Sequence, residues 1–169
     1  MKATQITSRS GSTFPLILIL CLAAAVARAD APTFSWVRKA GGTGTDYGTG
    51  LATDVAGNTF VFAKYGSNFA SLGSLTVSNS EYFLAKYDPD GTALWVRPIG
   101  FPSYSPNLAL NYRLGCDAAG NVYLGGSFFG GKIIFGGVNL TNLPNPSLFL
   151  AKYDSSGNFA WATNGLRGF

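Results

Sequence analysis

Gly126-Ser-Phe-Phe-Gly-Gly131-Lys132 spells the G-x-x-x-x-G-K of a phosphate-binding loop. That chemistry needs a Ser or Thr hydroxyl after the lysine to hold Mg²⁺, and a helix to follow. Here Ile133-Ile-Phe continues as an apolar strand pattern, so the match is what a glycine-rich chain supplies by chance. Gly41-Gly-Thr-Gly-Thr-Asp46-Tyr-Gly48 falls short of a dinucleotide fingerprint, because Tyr47 stands where the third glycine must be. Asp88-Pro-Asp90-Gly91 places carboxylates beside a sharp turn, a beginning for Ca²⁺ binding. No run of alternating ligands or closing Glu follows, and Asp and Gly equally suit a hairpin turn.

The chain has no histidine, which removes the usual general base and the commonest metal ligand. A Ser-His-Asp triad is impossible. No residue is therefore assigned a catalytic, cofactor-binding or metal-binding role, and the expected class is not an enzyme. Cys116, between Gly115 and Asp117 in a strand-like stretch, reads as a small buried hydrophobe rather than a reactive thiol. Asn139-Leu-Thr141 fits a glycosylation sequon, which matters only in a eukaryotic secretory pathway.

Residues 1–29 have the form of a signal peptide. Lys2 and Arg9 precede an apolar run from Phe14 to Val26, and Ala27-Arg28-Ala29 has the small-x-small pattern of a cleavage site. The run is shorter than the roughly 20 residues of a spanning helix, so an uncleaved short anchor is the weaker alternative. The expected location is secreted or cell-surface, with no membrane span after cleavage. Lys2, Arg9 and Arg28 leave with the signal, which takes 12 basic residues to 9 against 8 acids. No basic cluster survives to recognise nucleic acid. Cys116 is then the only cysteine, so no internal disulfide and no His/Cys zinc site can form.

The elements that position these residues are set by a repeat. Phe83-Leu-Ala-Lys-Tyr-Asp88 recurs 66 positions later as Phe149-Leu-Ala-Lys-Tyr-Asp154, each followed by a glycine (Gly91, Gly157) and a tryptophan (Trp95, Trp161). Asp54-Val-Ala-Gly57-Asn58-Thr-Phe60 matches Asp117-Ala-Ala-Gly120-Asn121-Val-Tyr123 at a shift of 63. Each copy must bury its faces against other copies. Each reads as four strands: about 49–55 and 112–117, then Thr59 to Tyr65 and Val122 to Phe128. A connection with one short extended piece follows (Leu72 to Val77; Ile133 to Leu140). Strand three is Tyr82 to Tyr87 or Leu148 to Tyr153, and strand four ends near Trp95–Arg97 or Trp161.

Runs such as Phe60-Val-Phe-Ala and Phe149-Leu-Ala lack a clean polar face, as in sheets buried on both sides. The expected fold is all-β, with two complete four-stranded antiparallel propeller blades plus a lone outer strand, in an incomplete ring. A β-sandwich is the alternative. The expected boundaries are 30–48 for the lone strand Phe34-Ser-Trp36-Val-Arg38 and its linker, 49–97 for blade one, 98–163 for blade two and 164–169 for the start of a linker to a missing blade. Asp54, Asp117, Asp88 and Asp154, with Gly57, Asn58, Gly120, Asn121, Gly91 and Gly157, are structural turn residues. Trp95 and Trp161 read as packing between blades rather than as sugar platforms. Lys86 and Lys152, inside apolar strands, are expected to snorkel to an edge or pair with an acid.

On these motifs the chain resembles the secreted bacterial β-propeller repeat (SBBP), whose units run D-x-x-G-N-x-Y-x-x-G and then F-L-A-K-Y-D-x-x-G-x-x-x-W. Asp117, Gly120, Asn121, Tyr123, Gly126, Phe149 to Asp154, Gly157 and Trp161 match it, over about residues 34–163. The first unit departs at Ala63, where the pattern has Gly. A fainter resemblance to quinoprotein propellers rests on Ala85, Asp88, Gly91 and Trp95, but the Asp-to-Gly spacing is one shorter, and shared blade mechanics explains it without a shared cofactor. The resemblance implies architecture and bacterial export but no single activity.

Propellers close with about 4–8 blades. Two units are therefore expected to be either the N-terminal part of a longer protein or a short chain that completes a ring by oligomerising. The expected function is a non-enzymatic extracellular scaffold that binds another protein or a polysaccharide through end loops such as 39–48 and 98–110. One alternative is a lectin assembled from several chains. Another is a propeller enzyme with its active site in missing blades.

Overall fold

A computed structural model describes residues 35–100, 112–128, 132–141 and 147–164. The expectations for 1–29, for the tip of the 98–110 loop and for 165–169 fall outside them, as do Phe34 and Gly131. The described residues contain strands and no helix, in four antiparallel sheets of which none closes on itself.

The strands in chain order are β1 (Ala40–Gly41), β2 (Tyr47–Thr53), β3 (Thr59–Lys64), β4 (Phe69–Leu72), β5 (Leu75–Ser78), β6 (Tyr82–Tyr87), β7 (Ala93–Ile99), β8 (Arg113–Cys116), β9 (Val122–Phe128), β10 (Lys132–Phe135), β11 (Val138–Thr141), β12 (Ser147–Tyr153) and β13 (Phe159–Asn164). The two repeat units make the two larger sheets, β2-β3-β6-β7 and β8-β9-β12-β13, each a four-stranded meander. Their register repeats too: Lys86 faces Phe60 and Trp95, as Lys152 faces Tyr123 and Trp161.

Several expectations are corrected. The connection between strands two and three is a hairpin in each unit, β4–β5 and β10–β11, rather than one extended piece. Two-residue loops make both: Gly73-Ser74 with Gly73 at φ 63°, and Gly136-Gly137 at φ 53° and 87°. Such positive values match the right-handed twist of paired strands. The lone outer strand is the second correction. Residues 35–39 form no ladder, and only Ala40–Gly41 pair, with Leu72 and Ser71 of the hairpin. The first strand of each unit also ends sooner than expected, at Thr53 and Cys116, because the next Asp turns its carboxylate onto the backbone and ends the ladder; β2 begins two residues earlier to match.

Two apolar clusters follow from this layout. One lies between the large sheets and joins Phe60, Phe62, Leu84 and Trp95 to Val122, Leu124, Phe149, Ala151 and Tyr153. The other, Phe83, Ala85 and Tyr87 with Tyr65, Leu72 and Val77, lies on the opposite face of the first sheet, against hairpin β4–β5. All six residues of β6 are buried as a result. Strand β12 does not have the two-sided burial expected of Phe149-Leu-Ala: it alternates, with Phe149, Ala151 and Tyr153 buried and Leu148 and Leu150 exposed. The first strands of the two sheets, β2 and β8, run beside each other with Gly50 against Leu114.

Candidate functional site

The densest polar chemistry among the described residues sits where the first sheet meets the turn between β12 and β13. Three turns share one construction. Asp54 Oδ1 accepts the amides of Ala56 (3.0 Å) and Asn58 (2.9 Å), and Oδ2 accepts the Asn58 side-chain amide (2.8 Å). Asp117 does the same with Ala119 and Asn121, and Asp154 with Ser156 and Asn158. Asp88 accepts the amides of Asp90 (3.0 Å) and Thr92 (2.7 Å), so its carboxylate is engaged by the turn itself. Gly57, Gly91, Gly120 and Gly157 all take positive φ there.

The carbonyls of the Asp154 and Asp88 turns are gripped from the segment one unit earlier. Trp95 Nε1 donates to Ser155 O (3.2 Å), Arg97 Nη2 to Ser156 O (3.2 Å), Arg97 Nε to Gly157 O (2.6 Å) and Lys86 Nζ to Ser155 O (3.4 Å). The guanidinium lies 5.6 Å from the Trp95 ring, and the indole covers Gly157 closely. Segment 36–38 repeats the grip one unit earlier: Trp36 Nε1 donates to Pro89 O (2.8 Å), Arg38 Nη2 to Asp90 O (3.0 Å) and Arg38 Nε to Gly91 O (3.0 Å). Trp36 also stacks on Tyr87. The arginines were not singled out in the sequence, although Trp36-Val-Arg38 and Trp95-Val-Arg97 are an identical triplet.

Lys86 is buried rather than snorkelling. It reaches Asp54 Oδ2 at 3.7 Å and lies 5.1 Å from the Phe60 ring. Lys152 lies over Tyr123 at 5.1 Å, and the Tyr123 hydroxyl donates to Asp117. Cys116 is half-buried and its thiol donates to Thr53 O at 2.8 Å. Desolvation, with the Asp54 and Asp117 charges, pushes that thiol's pKa up and keeps it protonated, the wrong direction for a nucleophile.

Trp161 is 41% exposed and touches Tyr123 edge-on at 6.4 Å; Thr163 stands where Arg38 and Arg97 stand. Lys132 opens β10, with Ile133 continuing the strand. A shallow cleft of about 420 Å³ lies beside the grip, lined by Arg97, Pro98, Ile134, Asn158 and Phe159 and floored by Tyr153, whose buried hydroxyl has no partner among the described residues. No three His, Cys, Asp or Glu side chains gather as a metal site among the described residues.

The turn carboxylates make stability depend on pH in a stated direction. At Asp54, desolvation raises the pKa, but hydrogen bonds from Asn58 and Ala56 and the Lys86 charge outweigh it; at Asp117 and Asp154 the Asn121 and Asn158 side-chain amides lead the lowering. All three end below the ordinary 3.8. A depressed folded pKa contributes stability above the unfolded value and loses it as pH falls through the folded one. Urea midpoints should therefore hold steady from neutral pH to near 3.8 and fall below it. A midpoint unchanged well below that value would mean the turns do not hold ionised carboxylates.

No family model and no curated protein matches the chain, so its own internal repetition is what carries a functional reading.

Proposed function

We propose that the chain is an exported β-propeller segment that serves as a non-enzymatic binding scaffold at the cell surface or outside the cell, built of units like the secreted bacterial β-propeller repeat. The observation that carries this reading is the Trp-x-Arg grip, made twice on the corresponding Asp-x-x-Gly turns of the two units. A device that joins each unit to the next in one direction suits a stacked repeat. A two-layer sandwich would leave one face of each sheet to solvent, whereas β6 is buried on both. Side-by-side first strands also suit blades converging on an axis. In this reading Asp54, Asp88, Asp117 and Asp154 shape the turns, Trp95 locks the junction, and ligands meet the end loops, including 39–48.

Extending the chain tests it. A variant in which residues 101–164 are duplicated after Asn164 should give Trp161 a turn to grip. The urea midpoint should rise and Trp161 emission should move to shorter wavelength. An unchanged midpoint would sink the stacking reading. A glycan array probed with the same variant separates the two binding classes: retention on a defined sugar, lost in Trp161→Ala, would replace the scaffold reading with the lectin.

A further inference from the structure

The outer face of the second sheet is a vacant copy of a face that is occupied in the first. The 66-residue period places Leu150 at the position of Leu84, Lys152 at that of Lys86 and Trp161 at that of Trp95. In the first sheet Leu84 is 0% and Trp95 7% exposed; in the second Leu150 is 40% and Trp161 41% exposed. What such a face receives is visible within the chain: an Asp-x-x-Gly turn, its carbonyls taken by the tryptophan and lysine, and the apolar strand before it.

The other end of the described chain presents a turn of that kind. Asp88-Pro-Asp90-Gly91 follows Phe83, Ala85 and Tyr87, as Asp154–Gly157 follows Phe149, Ala151 and Tyr153. Among the described residues the side chains that hold its Pro89, Asp90 and Gly91 carbonyls are Trp36 and Arg38, from a segment that is in no sheet. The exposed Asp90 carboxylate of that turn also complements Lys152.

We infer that the outer face of the second sheet docks a second copy of this chain, Trp161 and Lys152 gripping that copy's Asp88–Gly91 turn, and that Trp36-Val-Arg38 is an internal plug that competes for the turn. The plug carries an arginine, whereas Thr163 replaces it on the docking face. The plug therefore wins in the native chain and holds association weak. The contact is head-to-tail, so each copy keeps one free end and the assembly grows until it closes.

Sedimentation velocity on the full chain tests this, with circular dichroism to confirm folding. Trp36→Ala with Arg38→Ala should produce concentration-dependent species heavier than one chain, and adding Trp161→Ala should abolish them. In the plugged chain Thr163→Arg should tighten association about tenfold by restoring charged hydrogen bonds to the turn carbonyls. A folded plug variant that stays a single chain, or that associates equally without Trp161, overturns the inference. Should the plug variant fail to fold, unchanged association of Thr163→Arg overturns it alone. The inference rests on the stacked-unit reading, and Arg97→Ala separates the two failures. An unchanged unfolding midpoint there means the grip contributes nothing and that reading fails; a lowered midpoint beside a single-chain plug variant sinks only the docking.

Discussion

Trp95→Ala should destabilise the fold by about 4 kcal/mol, and Trp161→Ala by less than about 1 kcal/mol, although the two tryptophans occupy the same place in consecutive repeats. Trp95 is 7% exposed, and its ring lies 6.0 Å from Phe60 and against the Gly157 backbone. Truncating it removes a large buried aromatic, opens a cavity the sheets cannot close and leaves Ser155 O without its indole donor. Arg97 also loses the ring it lies beside. Among the described residues the ring contact of Trp161 is the edge-on one to Tyr123, and 41% of its surface is exposed. Urea unfolding of the two variants at one pH reads the difference directly. Equal losses would mean that neither tryptophan locks a junction, and both the repeat reading and the vacancy on the second sheet would fall together.

What could be read from sequence divides along physical lines. The Asp-x-x-Gly turns were legible because their chemistry is local: an acid, a glycine and the amides between them lie within a few residues. Two-sided burial was read from Phe60-Val-Phe-Ala and Phe149-Leu-Ala. Strand β3 keeps Phe60, Phe62 and Ala63 buried with Val61 half-buried, whereas β12 leaves Leu150 exposed, because what covers a strand's outer face is not written in its own residues. The hairpins β4–β5 and β10–β11 were missed although Gly73-Ser74 and Gly136-Gly137 mark them, because strands of four residues give too short an alternation to register. Phe34–Arg38 was misread as a strand for a different reason. Its side chains copy strand four of a unit, but among the described residues no strand lies beside 35–39 to pair with them. The residues 36–38 thus reproduce the grip while the backbone forms no ladder. The roles of Arg97 and Lys86 depend on a partner about 60 residues away, which no local pattern announces.

A glycine series measures how tightly the grip is built. Gly157→Ala should cost about 3 kcal/mol and Gly73→Ala about 1 kcal/mol, even though both glycines sit in turns at positive φ (78° and 63°). The strain of a side chain in the left-handed region is common to both. The difference lies in what the new methyl meets. At Gly73 nothing stands within 4 Å, whereas at Gly157 it would sit 2.6 Å from the Trp95 ring. The indole must then move, taking with it the bond to Ser155 and disturbing the Arg97 bond to Gly157 O. Gly91→Ala is the informative intermediate. Its methyl would lie 2.5 Å from the Trp36 ring, but Trp36 belongs to a segment outside any ladder and can swing away. It should therefore fall between the other two and, by loosening the plug, favour association. Equal losses at Gly157 and Gly73 would mean that Trp95 rests on the turn without being held by it. A graded series, with association appearing only at Gly91, would tie junction stability and docking to the same turn-and-tryptophan contact.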